Sequence, residues 1–520
     1  MTLTSKRPLD AAQAYARIRE RAVARDQAGA SDAYYALAAA GRPATELAGE
    51  LVRSHAPYTH VPYHQRLDDG VVRFVNNDHC LLSARASLRL TAEVSPELRY
   101  LPLAQTLWYI PTGLDPWNQL IGRAPGHYAR MYAIAPGAAP AAPQVHWPDQ
   151  EPEYLEGSFD EKLNEWLTLV QRGEVLRQYR VFLGLLQDVP NRRRLLAHLV
   201  FAGLIDVQDR MLYNRSYTTG HKSFRARATV ELGETLGWDQ AHHVVYAGVP
   251  DLAVGPRWHS TYEMACQIAY LEFEGRDAEF RHNTAGFTDD EVEQTFRVLM
   301  TAHEPAWQHQ VSALLQAGKS PIAIVDVLQT ISARIILETH DINGFSMPQH
   351  CYEYLNTLRW FLGAFDHPHQ VKLLYVAAGF VNRAAHHQAA YADNGPKRLH
   401  APRGAAAWPA PRLLEAIEAA ILALDADTAV ALTGAYLRTG DGRDALLRTL
   451  ADASTKLGND PHNQELGMCL IEDYRHSMAP GRDTLLLAAA KHTANHRKYG
   501  NPLEAYQRFA DAMGIVTAGA

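Results

Sequence analysis

Apolar residues that return every third or fourth position leave a chain little choice but amphipathic helix. That spacing runs through "FDEKLNEWLTLVQRGEVLRQYRVFLGLLQ" (159–187), "SPIAIVDVLQTISARIILETH" (320–340) and "APRLLEAIEAAILALDADTAVALTGAYLR" (410–438). Strand patterns are scarce. "GVVRFVNN" (70–77), behind the turn-like "LDDG", is one short candidate. Two Pro/Ala/Gly-rich stretches, 135–153 and 393–411, read as loops or linkers and divide the chain into 1–150, 151–395 and 410–520. No sequence repeat of fixed period is found, so a regular helical solenoid is not expected. The expected fold is all-α, with helical bundles packed around a central cavity where ligands from distant segments meet. The three regions are expected to form one compact catalytic unit.

The bulk numbers narrow the function classes. A formal charge of −7, from 50 Lys and Arg against 57 Asp and Glu, gives no footprint for nucleic acid or an anionic membrane surface. No run approaches the roughly 20 uncharged apolar residues of a membrane span. The four cysteines, Cys80, Cys266, Cys351 and Cys469, are scattered and contain no CxxC, so neither a disulfide framework nor a Cys-based zinc site is expected. The first residues read as an amphipathic helix without the apolar segment of a signal peptide, and a cytoplasmic location is expected. G-x-S-x-G, P-loop and Rossmann glycine motifs are absent, which argues against a serine hydrolase, a nucleotide kinase and a standard flavin or nicotinamide domain. Histidine is the unusual count, at 25. It is the commonest metal ligand, so a histidine-built site is worth seeking.

Four settings stand out, although each alone is explained by an ordinary polar helix end. His79 begins the helix of "NDHCLLSARASLRL", behind a cap at Asn77 or Asp78. His221 follows Gly220 in "GHKSFRARATVELG" and shares a face with Arg225 at i, i+4. His340 ends a long amphipathic helix and, with His350, frames the polar stretch "HDINGFSMPQH"; Glu338 and Asp341 flank its ring. His462 and Glu465, in "NDPHNQELGMCLIEDYR", lie at i, i+3 on a helix that Asn459 or Asp460 caps and Pro461 opens. His492 and His496 in "HTANH" have metal spacing, but their basic surroundings read as exposed. His259, with Glu263 one turn on, is a reserve ligand.

Taken in order, these settings resemble the questin oxidase-like family of natural-product oxygenases. The matching stretches are "NDHCLLSARASLRL", "HKSFRARATVEL", "HDINGFSMPQHCYEYL", "HQVKLLYVAAGFVNRAAHHQAAY" and "NDPHNQELGMCLIEDYR", which together run from residue 77 to 475. The ordered set carries the resemblance, since no single motif is specific. The spacer "INGFSMPQ" lengthens the third motif. In a characterised branch of the family a carbamylated lysine joins four histidines on iron; Glu465 stands at that lysine's place here. "HQVK" (369–372) imitates the family's HxxK, but the helix that follows it matches an earlier family element.

The resemblance implies a non-haem Fe(II) centre held by His79, His221, His340 and His462, with Glu465 as anionic ligand or near neighbour. Zinc or manganese on the same ligands is the alternative, and would make a hydrolase or lyase. Dioxygen would be the co-substrate; a need for NADPH is left open. Arg225 and His350 are the expected catalytic residues, Arg225 anchoring a phenolate or carboxylate. The implied substrate is an aromatic, polyketide-like small molecule, oxidised by ring cleavage or Baeyer–Villiger-type oxygen insertion. The 24 tyrosines and nine tryptophans can line an apolar pocket for it, although core packing accounts for most of them. A metal-free oxygenase using histidine as a base and a non-catalytic helical binding protein are the remaining readings.

Overall fold

The computed structural model describes residues 10–58, 79–113, 150–207, 220–253, 260–340, 345–391, 402–496 and 500–516. These residues are helical throughout and contain no strand, only an isolated bridge between Ala285 and Lys319. The strand candidate at 70–77 lies outside the described residues, as does His259. None of the described helices is long and apolar enough to cross a membrane.

Local chemistry sets the helix ends. Ser158 and Glu161 form a capping box at the start of Phe159–Arg172, and Gly173 ends that helix at φ 75°. The periodic run 159–187 is therefore two helices, the second being Val175–Leu186. The run 410–438 divides in the same way. Asp425 caps Ala426–Leu437, with its side chain accepting from the Thr428 amide. The 320–340 run is one helix, Pro321–Glu338, with proline in its first turn.

The buried apolar residues form two clusters. One is built mainly from the middle of the chain, including Leu199, Val230, Leu355 and Val376. The other joins the two ends of the chain, placing Leu51, Leu90 and Leu107 in one core with Leu450, Leu466 and Leu485. The regions 1–150 and 410–520 thus share a core. Four helices line the boundary: α1 (Cys80–Leu90), α2 (His221–Leu236), α3 (Ser346–Ala364) and α4 (Pro461–His476). They pack in a ring, α1 on α2, α2 on α3, α3 on α4 and α4 on α1. Leu81 and Leu82 of α1 face the first core, and Cys80, Ala86 and Leu90 the second.

The start of α2 is held tightly. Lys222 forms a buried ion pair with Asp206 and donates to the Leu252 carbonyl at 3.2 Å. The helix Arg192–Leu204 packs on α2, and a Cβ at Gly203 would lie 2.7 Å from the Ser223 amide nitrogen. Only glycine permits that approach, one turn from His221. Gly203→Ala is expected to cost about 1–3 kcal/mol in urea denaturation, because backbone must shift. Gly363→Ala, where an added Cβ meets nothing within 4 Å of it, is expected to be neutral or to gain up to about 1 kcal/mol. Equal effects at the two sites would refute the close-packing account.

Candidate metal centre

Each of the four ring-packed helices brings one histidine near its N-terminus. His79 is the N-cap residue of α1, and His221 is the first residue of α2, placed by Gly220 at φ 96°. His462 is the second residue of α4, whose N-cap Asp460 accepts from the His462 amide at 2.9 Å. His350 lies one turn into α3. All four are buried or nearly so. Ligating nitrogens of His79, His221 and His462 lie within 4.8 Å of one another.

The ring centres trace a closed circuit. They are 5.2 Å apart for His79 and His221, 4.5 Å for His221 and His350, 5.3 Å for His350 and His462, and 4.4 Å for His462 and His79. An imidazole that ligates at roughly 2.1 Å has its centre about 3.2 Å from the ion. Neighbouring ligands about 90–110° apart then have ring centres about 4.5–5.2 Å apart. The donor atoms of His79, His221 and His462 are close enough to share one cation, and the His350 ring closes the circuit between His221 and His462.

The outward nitrogens have fixed partners. Glu465 Oε2 lies 2.8 Å from His79 Nδ1, and Asp460 Oδ1 lies 2.8 Å from His462 Nδ1. His350 Nδ1 faces the Ser346 carbonyl, which only accepts, so Nδ1 carries the hydrogen and Nε2 keeps its lone pair. This outer shell selects the tautomer that metal binding requires. His462 Nε2 is buried and has no hydrogen-bond partner among the described residues. Burial, then the neighbouring His350, His79, Arg225 and His462, push the His221 pKa well below its ordinary value. Burial also disfavours a charged His462, but Asp460, then Glu465 and Glu353, outweigh it and hold that pKa up to about 9.

The helices are mutually parallel, and this follows from two layers of contact. Six residues beyond His79, His221 and His350 stand Arg85, Arg227 and Asn356; ten beyond His221 and His462 stand Glu231 and Glu472. Arg85 Nε bonds Glu231 at 2.6 Å and its Nη2 bonds Glu472 at 3.1 Å. Arg227 bonds Asn356 Oδ1 at 2.6 Å, Glu231 at 3.1 Å and Glu472 at 2.7 Å. A polar layer that closes across all four helices, always on the C-terminal side of the histidines, requires a common direction. At 1.5 Å per residue it lies roughly 9 Å below the histidine layer.

Between the layers is a cavity with about 360 Å³ of unfilled space, counting its mouth. Its walls repeat one register. Three residues after each histidine come Leu82, Phe224, Glu353 and Glu465; seven after come Ala86, Ala228, Thr357 and Cys469. The α1 and α2 walls are apolar at these positions, and the α3 and α4 walls are largely polar. Glu353 is 4% exposed, and its Oε1 has no hydrogen-bond partner among the described residues. Burial pushes its pKa well above the carboxylate range; His462 opposes the shift, while Glu465 and Asp460 add to it.

Of the residues expected from sequence, His79, His221 and His462 converge. His340 does not belong to this group: it lies two residues past the end of the helix Pro321–Glu338, and its Nδ1 is 3.5 Å from Lys491 Nζ. The His350 ring instead stands beside the group, its centre 4.5 Å from that of His221 and 5.3 Å from that of His462. Glu465 lies behind His79, with Oε2 on the ring and Oε1 accepting from Ser83 at 2.8 Å. Arg225 is paired with Asp251 in a buried ion pair, and the cavity is lined by Arg227 instead. His492 and His496, read from sequence as exposed, are buried on α5 (Thr484–Asn495) and at its end. Asp460, His462 and His496 form a second group that can hold a metal ion. It uses the same His462, whose Nδ1 already faces Asp460. No family model, curated protein or solved structure matches the chain.

Sequence reasoning missed Glu353 and gave Asp460 only a capping role. The signal for His350 and Glu353 was the shared register of "HCLLSARA" (79–86), "HKSFRARA" (221–228), "HCYEYLNT" (350–357) and "HNQELGMC" (462–469). The polar layer has its own pH signature. Burial would raise the Glu231 pKa, but Arg227, then Arg85, hold it down to about 2. A depressed carboxylate contributes stability above its unfolded value near 4.3, which is lost as pH falls toward the folded value. Stability is expected to drop between about pH 4.5 and 2, with Glu231 contributing about 1–3 kcal/mol of the drop. Glu231→Gln should flatten that part of the curve; an unchanged slope by urea denaturation would show that the ion pairs do not act this way.

Proposed function

We propose that this protein is a non-haem iron oxygenase acting on a small aromatic substrate. The observation that carries the reading is the closed circuit of four imidazoles, one per helix, above a cavity with one apolar and one polar side. Imidazole donors with carboxylates close by suit iron. Fe(II) bound there would supply the one-electron chemistry by which dioxygen is activated. The order of the motifs, with its resemblance to the questin oxidase-like family, supports the same reading.

The chain's own residues supply binding and orientation. Asp460 and Glu465 accept from the outward nitrogens of His462 and His79, which makes those rings stronger donors. Leu82, Ala86, Phe224 and Ala228 offer a flat apolar wall to an aromatic ring, and Asn356 and Thr357 offer polar edges opposite. Arg225, occupied by Asp251, is replaced by these wall residues as the means of orienting substrate.

The test is elemental analysis of untagged protein together with oxygen uptake on mono- and bicyclic phenols. About one iron per chain is expected. His79→Ala, His221→Ala and His350→Ala should each lower metal content at least tenfold at limiting iron, whereas His340→Ala should retain it. Retention of metal by the first three variants would overturn the site. Tight zinc or manganese binding without oxygen uptake on any phenol would overturn the oxygenase reading and favour a hydrolase or lyase.

A further inference from the structure

A divalent cation in the imidazole circuit would lack direct charge compensation. Four neutral rings leave both positive charges on the ion, and the N-termini of α1, α2 and α4 add positive potential at the same point. Uncompensated buried charge is costly. Two of the three nearby carboxylates are already occupied. Asp460 faces His462 and caps α4 through Oδ1, and its Oδ2 lies on the side of His496, away from the His462 ring. Glu465 holds His79 with one oxygen and Ser83 with the other. Glu353 is different: it is buried, it lines the cavity beneath the rings, and its Oε1 has no hydrogen-bond partner among the described residues. It stands at i+3 from His350, so the two side chains share a face of α3. Helical side chains lean toward the N-terminus, which carries the Glu353 carboxyl up toward the histidine layer.

Resting on the metal reading above, we infer that Glu353 is the anionic ligand of the centre, and that Glu465 is a positioning residue acting through His79. His350 and Glu353 then bind from one helix as an i, i+3 pair, the spacing that serves carboxylate and histidine ligands in other helical metal sites. The carboxylate enters from the α3 wall and leaves the apolar side, at Leu82 and Phe224, to the substrate. His462 and Glu465 have the same spacing, but the hydrogen bonds to Glu465 divert it to the outer shell.

The test uses full-length wild-type protein, Glu353→Gln and Glu465→Gln, each titrated with Co(II) and followed by visible absorption. Glutamine fills the same space, and a neutral side chain suits that buried position. Wild type should bind one Co(II). Glu353→Gln should bind at least tenfold more weakly, with a d–d spectrum changed toward lower coordination number. Glu465→Gln, if weakened, should keep the wild-type band shape, since the ligands are unaltered. Equal affinity and spectrum for Glu353→Gln would overturn the inference while leaving the metal centre standing. A changed spectrum in Glu465→Gln alone would return the ligand role to Glu465. Failure of wild type to bind Co(II) would overturn the centre itself. Should Glu353→Gln not fold, a crystal structure of the Co(II)-loaded wild type decides. A Glu353 oxygen within about 2.2 Å of the ion supports the assignment, and one beyond hydrogen-bond range overturns it.

Discussion

Two arginines and two glutamates are ionised inside this protein because each is satisfied by the others. Arg85 and Arg227 carry two buried positive charges against the two negative ones of Glu231 and Glu472, and the more exposed Arg89 also pairs with Glu231 from the rim. Removing one partner of such a buried group leaves an uncompensated charge that costs roughly 3–5 kcal/mol. Sliding a helix by one turn would do the same, because Arg85, Arg227, Glu472 and Asn356 would separate together. The network therefore fixes the axial register of four helices that apolar packing alone would leave tolerant of small shifts. The histidines sit six or ten residues upstream of these groups, so setting the register below sets the convergence above. The imidazole circuit depends on a salt-bridge layer about two turns away.

Common direction has an electrostatic consequence. Four parallel helices with no intervening antiparallel partner in the ring place N-termini together at one end. That end favours negative charge, whereas a cation needs the reverse. The sequence meets this with Asp460, Glu465 and Glu353, all within reach of the histidine layer. The first two act on the nitrogens that face away from the centre. The salt-bridge floor also reaches the cavity, since Arg85 and Arg227 form part of its lining.

The helical class was legible because it is local. Periodicity and caps at Ser158, Asp425 and Pro321 act within a few residues, and a chain's own pattern reports them. The candidate centre is a long-range feature, its histidines drawn from residues 79 to 462. His79, His221 and His462 could be singled out because each opens a helix at a cap or a glycine. His350 has no such marker, since it lies a turn inside α3. His340 looked better from sequence, being flanked by acids at a helix end. What separates them is register: His350 has Glu353 and the small Thr357 on its own face, at the spacing seen after the other three histidines. His340 lies past the end of its helix, which closes at Glu338, and so has no helix face to share.

The two groups that share His462 illustrate how one residue can be read twice from coordinates. Distance alone permits an ion between Asp460, His462 and His496 as readily as one within the imidazole circuit. Chemistry separates them. Asp460 Oδ1 takes both the His462 ring and the first amide of α4 at hydrogen-bond length, which leaves Oδ2 on the His496 side. His496 lies farther from it, at 3.9 Å. An acid that caps a helix and fixes a ring is accounted for without a second ion. The remaining nitrogen of His462 is buried without a hydrogen-bond partner among the described residues, and the ring centre lies 4.4 Å from that of His79 and 5.3 Å from that of His350. The same logic assigns Glu465 to the outer shell and leaves Glu353 as the carboxyl whose surroundings are incomplete until something enters the cavity.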